Sequence, residues 1–225
     1  MKKIDSLFFE LIQVAVGQQD CLSRGPEPEE WQTLYEISKQ QHVEGISYQG
    51  VMKLFDFGLR APQDICLDWM AGAETIREAN ETVKEPSILA LSYDEELQNL
   101  RQHAGNDVKV VSQFKIQYVY QQYLQHKLDM RLLLDYYHVL RKTNGKYETL
   151  KSGGFLDTWG IRRFARGVMW VLQETVNLDK QNMPFEPLEI EGRFLLSDMM
   201  QEASKWERVA HVLFTYPLGI KDLRA

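Results

Sequence analysis

The sequence predicts an all-α protein, a bundle of roughly eight to ten helices. Apolar residues recur three and four positions apart in segment after segment, the period of a helix with one buried face. The proline-rich breaks, Gly25-Pro26-Glu27-Pro28 and Pro184 to Pro187, fall between those segments. Only residues 107–120 also fit a strand, because Phe114, Ile116, Tyr118 and Tyr120 alternate. Val111, Phe114, Tyr118 and Val119 fit a helix equally well, and periodicity alone does not decide between them.

The first helix is expected over Asp5 to Val16, with Leu7, Phe8, Leu11, Ile12 and Ala15 on one face and Gly17 after it. Two lysines precede this apolar run, as in a signal peptide. Glu10 and Gln13 interrupt it, however, and no small-residue cleavage site follows. A second helix begins at Pro28, where Glu29 and Glu30 meet the positive end of its dipole and Trp31, Leu34, Tyr35 and Ile37 supply its apolar side. A third spans Val43 to Phe55, with Ile46, Val51, Met52 and Phe55 inward. Pro62 opens a fourth, marked by Ile65, Trp69, Met70, Ala73 and Ile76.

Pro86 ends or kinks that helix. Ser92-Tyr93-Asp94-Glu95 then has the capping-box pattern, with Leu97, Leu100 and Ala104 following and Gly105 as a terminator. From Met130 the apolar side is Leu133, Leu134, Tyr137, Val139 and Leu140, closed by Arg141 and Lys142 at the negative end. Asn144-Gly145 is a turn and Gly153-Gly154 a loose point. Ile161 to Val176 is the strongest helix, and Ile190 to Met200 and Ser204 to Phe214 are the last two.

At 225 residues the chain makes one helical domain, or two lobes, 1–85 and 108–225, joined by a linker at 86–107. Its 44% apolar and 26% charged residues exclude disorder over most of its length. Lys plus Arg number 26 against 32 for Asp plus Glu, a net charge of −6, which argues against general nucleic-acid binding. No stretch approaches the ~20 apolar residues that span a bilayer, so no membrane role is expected. Cys21 and Cys66 are too few for a disulfide scaffold or a cysteine zinc site, and a cytoplasmic setting is the default.

The familiar catalytic signatures are absent: no His-Glu-x-x-His, no P-loop, no G-x-S-x-G elbow, no G-x-G-x-x-G fingerprint. Of His42, His103, His126, His138 and His211, only His138 has a suggestive neighbour. Asp135 lies three residues earlier on the same helical face, as half of a metal site or as a surface charge pair. Tyr118, Tyr120, Tyr123, Tyr136 and Tyr137 could stack bases, but with few basic residues among them they read as core and core edge. Arg162, Arg163 and Arg166 form one basic cluster, read as an exposed face in preference to a phosphate grip.

Five segments are together similar to a bacterial, Bacteroidetes-type nucleotidyltransferase family. They are Phe8-Phe9-Glu10-Leu11-Ile12-Gln13-Val14-Ala15 continuing through Trp31 to Tyr35, Trp69-Met70-Ala71-Gly72-Ala73-Glu74, Arg131-Leu132-Leu133-Leu134-Asp135-Tyr136-Tyr137, Phe164 to Glu174, and Glu191-Gly192-Arg193-Phe194-Leu195-Leu196. They run in the family's order over about residues 7–84 and 112–200. The resemblance implies helices flanking a small α/β core that carries Gly-Gly or Gly-Ser and then an Asp-x-Asp pair. That pair would hold a divalent metal, which neutralises triphosphate and activates the attacking hydroxyl.

Here that core is missing. The interval from Lys84 to Met130 has no room for ~100 residues, a typical domain. Its one acidic match is Asp94-Glu95-Glu96, without a preceding glycine pair, and Gly153-Gly154 leads only to Asp157-Thr158-Trp159. The family's histidine, arginine and histidine before the Arg-Asp segment align with Tyr118, Gln121 and Gln122, and the C-terminal region is shorter. Arg131 and Asp135 are the retained polar pair, a nucleotide-binding remnant or an i,i+4 ion pair. The expectation is a degenerate, non-enzymatic relative without cofactor, binding a protein partner or itself. The alternative is an active nucleotidyltransferase using Mg2+ on Asp94 and Glu96, with Arg131 and Asp135 at the nucleotide.

Overall fold

A computed structural model of the chain describes residues 3–82, 108–143 and 161–215. Among the described residues there are nine α-helices and no strand. They are α1 (Lys3–Val16), α2 (Pro28–Gln40), α3 (Glu44–Leu54), α4 (Gln63–Thr82), α5 (Val108–Leu124), α6 (Met130–Thr143), α7 (Arg162–Val176), α8 (Glu189–Met199) and α9 (Lys205–Thr215). The ambiguous stretch is helical from Val108 on: α5 buries Ile116, Val119, Tyr120 and Tyr123 on one side. The capping box at Ser92, the linker at 86–107, Asn144-Gly145, Gly153-Gly154, Asp94 and Glu96 lie outside the described residues.

The chain forms two compact units. The first is Met1–Ala90 together with Thr175–Asn177. Its core is Phe8, Leu11, Ile12, Trp31, Leu34, Val51, Leu54 and Trp69. Trp69 meets the edge of Trp31 with ring centroids 6.5 Å apart, and its Nε1 donates to Ser47 Oγ at 3.0 Å, so the indole is buried with its polar atom satisfied. Lys53 Nζ donates to the carbonyls of Val14 and Ala15 at 3.1 and 2.8 Å, capping the last turn of α1. A Cβ on Gly50 would lie 2.6 Å from the Leu11 carbonyl oxygen, so only glycine admits this close crossing of α3 over α1.

Two apolar residues expected inside this unit face outward. Met52 and Met70 are exposed, because Val51 and Trp69 beside them take the inward positions.

The second unit is Leu91–Glu174 with Leu178–Ala225. Phe164, Ala165, Val168, Met169 and Leu172 of α7 are buried, as are Met130, Leu133, Leu134 and Tyr137 of α6. Asp129 starts α6 by accepting from the backbone N–H of Leu132 at 2.9 Å. Helices α7 and α8 approach through two glycines. A Cβ on Gly167 would sit 2.6 Å from Glu191 Cγ, and one on Gly192 would run into the Trp170 ring.

Helix ends follow one pattern. Gly17, Gly58, His42, His126, Asn177 and Gln201 all have positive φ. After α2, His42 donates to the carbonyl of Lys39 and Val43 to that of Ser38. After α5, His126 donates to Tyr123 and Lys127 to Gln122. These pairs are Schellman closures, with histidine in the left-handed position where glycine is the usual choice.

Candidate functional site

Two polar clusters stand inside the second unit. The first contains the residues singled out by sequence. Asp135, on α6, does not stand alone with Arg131: Lys115 on α5 reaches it, Nζ to Oδ2 at 3.3 Å. Lys115 is buried and Asp135 is part exposed, so the pair ties α5 to α6 at the rim of the core. Burial pushes the Lys115 ammonium below the ordinary lysine range, Asp135 pulls it back up, and the charge of Arg131 lowers it further. The ammonium also lies 5.8 Å from the centre of the Tyr118 ring. His138 is pushed below its ordinary value by partial desolvation, against the pull of Asp135. Among the described residues no three His, Cys, Asp or Glu side chains converge as a metal site would require.

The tyrosines divide as packing demands. Tyr120, Tyr123, Tyr136 and Tyr137 are buried, and Tyr118 is half-buried. The arginine cluster of α7 is split among internal partners. Arg163 Nε donates to Glu191 at 2.6 Å, and Arg166 Nε donates to the Glu186 carbonyl at 3.0 Å.

Sequence reading missed the second cluster. Glu191 on α8 is fully buried, and Arg163 meets one of its oxygens. His211 Nε2 on α9 lies 3.2 Å from the other. The opposite ring nitrogen, Nδ1, is 2.7 Å from the Tyr123 hydroxyl on α5. A carboxylate only accepts, so Nε2 presents its N–H to Glu191, while the sense of the Nδ1–Tyr123 hydrogen bond follows the state of the imidazole. Phe194 stacks on the His211 ring with centroids 3.7 Å apart. Two turns along α8, Asp198 pairs with Arg208 of α9. Burial pushes the Asp198 carboxyl up, opposed by Arg208, His126 and His211. Burial also pushes the Tyr123 hydroxyl far up, and the charges of Asp198 and Glu191 add to it.

A hydroxyl, an imidazole and a carboxylate in a hydrogen-bonded row have the atoms of an acid–base relay. Tyr123, however, is only 1% exposed and Glu191 0%, so the row fastens α5, α8 and α9 together in this structure. The signal that could have found it was the pair of glycines inside strong helices. Gly167 leaves the space that Glu191 occupies.

No protein-family model matches this chain, and no curated protein or solved structure matches it significantly.

Proposed function

We propose that the chain is a helical binding or assembly protein, a degenerate relative of the bacterial nucleotidyltransferases that keeps their flanking helices and lacks their transferase core. One observation carries this reading. Asp135, the carboxylate that the resemblance would set at a nucleotide, is already engaged by Lys115. Moving it to a ligand would take this ion pair from a buried ammonium, a costly loss at a desolvated charge. Glu191 and Asp198 are likewise held by Arg163, His211 and Arg208. These charges therefore favour a framework over a metal-triphosphate site. Outward apolar residues supply surface for a partner: Phe57, Leu67 and Met70 in the first unit, Ile190, Trp206 and Val209 in the second. The thiols Cys21 and Cys66, both free, support a cytoplasmic setting.

The test is a thermal-shift titration with each nucleoside triphosphate, with and without magnesium. A ligand bound to the native state at 100 times its Kd adds about 2.7 kcal/mol and raises the midpoint. The expected response is flat. A magnesium-dependent shift for one nucleotide would overturn the reading and send mutagenesis to Asp94, Glu96 and Arg131.

A further inference from the structure

Helix α9 turns charged side chains inward. Among its described side chains, Arg208 and His211 face inward with Val212. Trp206, 84% exposed, and Val209 face outward. The seat below is correspondingly acidic: Glu191 and Asp198 on one face of α8, with the Tyr123 hydroxyl beside them. These directed polar contacts help hold α9, and any identical helix reproduces them.

The connector before it is in conflict with itself. Met200-Gln201-Glu202-Ala203 are all good helix formers, with no glycine or proline. Yet the chain turns there. Gln201 donates to the Asp198 carbonyl at 3.0 Å and Glu202 to the Ser197 carbonyl at 2.8 Å, a Schellman closure. The left-handed residue is Gln201, with φ 57°, a conformation that disfavours every side chain with a Cβ. Ser204 and Glu207 restart the helix with a reciprocal capping box: the Ser204 N–H donates to Glu207 at 2.7 Å, and the Glu207 N–H donates to Ser204 Oγ at 3.2 Å. Local preference and closed turn point to different structures.

We propose that α9 is an exchangeable arm: the connector straightens, α8 and α9 become one helix, and Arg208 and His211 seat in the Glu191–Asp198 groove of a second copy of this chain. The exchange rebuilds the same ion pairs and the Tyr123–His211–Glu191 row, so the seat keeps the partners it has in the single chain. It releases Gln201 from the left-handed region in both copies, while giving up two capping boxes. Trp206, near the start of α9 and close to the hinge in sequence, offers apolar surface to the new contact between copies. The inference deepens the assembly reading above by naming its site, and it rests on that reading only for its relevance. A nucleotide-induced thermal shift would leave the exchange standing, and failure of the exchange would leave the thermal-shift result standing.

The experiment is size-exclusion chromatography with light scattering on the full chain at several concentrations. Gln201→Gly removes the strain and weakens the continuous helix, so it should lower the dimer fraction. Ser204→Ala removes the capping box, so it should raise it. The dimerisation constants should differ on the order of tenfold or more, because strain of this kind acts at two hinges. Helix content by circular dichroism checks that both variants fold. Arg208→Glu and Asp198→Arg chains should each be impaired alone and form a mixed dimer together, each groove then receiving a complementary arm. Equal dimer fractions in the two hinge variants, dimers unaffected by Arg208→Glu, or monomer throughout would overturn the proposal. If the charge variants fail to fold, the hinge pair decides by itself.

Discussion

The Lys115–Asp135 pair shows how burial changes what a charged residue is for. In an exposed helix, Arg131 and Asp135 at i,i+4 would be worth a few tenths of a kcal/mol. With Lys115 desolvated, the same carboxylate becomes its counter-ion. Asp135→Asn should therefore destabilise the protein by roughly 2–4 kcal/mol, toward the low side of a buried-pair loss because Asp135 is part exposed. Replacing both residues, Lys115→Met with Asp135→Leu, should recover most of that loss. Urea denaturation measures both, and near-equal stability of wild type and Asp135→Asn would refute the assignment. Burial also gives a pH signature. Lys115 has a folded-state pKa below the ordinary 10.5, so the unfolded chain binds more protons in the interval between the two values. Stability from this group is complete above the unfolded value and is lost as pH falls through the folded one. Lys115→Met should remove that rise, and the difference between the two pH–stability curves reports it. None of this was legible in the sequence, because the partner lies on another helix, 20 residues away.

At the scale of elements, the sequence was informative wherever periodicity sets a buried face. The apolar sides of α1, α2, α6 and α7 follow from spacing alone, since Phe8, Trp31, Leu133 and Phe164 recur with helical period and are buried. The structure resolves residues 108–120 as helix because the buried set runs Ile116, Val119, Tyr120 and Tyr123. Helix ends closed by His42, His126 and Gln201 carried no glycine to announce them, and Tyr123 and His211 are 88 residues apart, beyond any local pattern. Glycines inside helices were the unread signal. Gly192 lets Trp170 lie against α8, so Gly192→Ala should gain at most ~1 kcal/mol of helix propensity while overpacking costs about 1–3 kcal/mol. The overpacking should win, since the Cβ would enter a large ring. A lower denaturation midpoint with unchanged m-value is expected, and a raised midpoint would show that Trp170 moves aside freely.

At the scale of the whole molecule, chain order and spatial order part company at one point. The first unit runs from the N-terminus to Ala90, yet it includes Thr175–Asn177. Gln13 is the reason. Read along the sequence, it interrupts an apolar run. In the fold its buried amide uses both ends: Nε2 donates to the Thr175 carbonyl at 3.0 Å, and Oε1 accepts from Asn177 Nδ2 at 3.0 Å. The first bond spans 162 positions. The first unit is thus completed by residues synthesised long after its helices. Gln13→Leu keeps the apolar face of α1 continuous and adds hydrophobic burial, but it removes both bonds at a buried position. Each bond is worth about 1 kcal/mol net, and a buried group that loses its partner costs more, so the polar loss should exceed the apolar gain. Amide hydrogen exchange can locate the effect. Protection in α1 and α3 should fall about tenfold, the equivalent of 1.4 kcal/mol, while α6 keeps its wild-type protection. Unchanged protection in α1 would remove residues 175–177 from the first unit's stability. An equal fall in α6 would mean that the two units open together, as one cooperative structure.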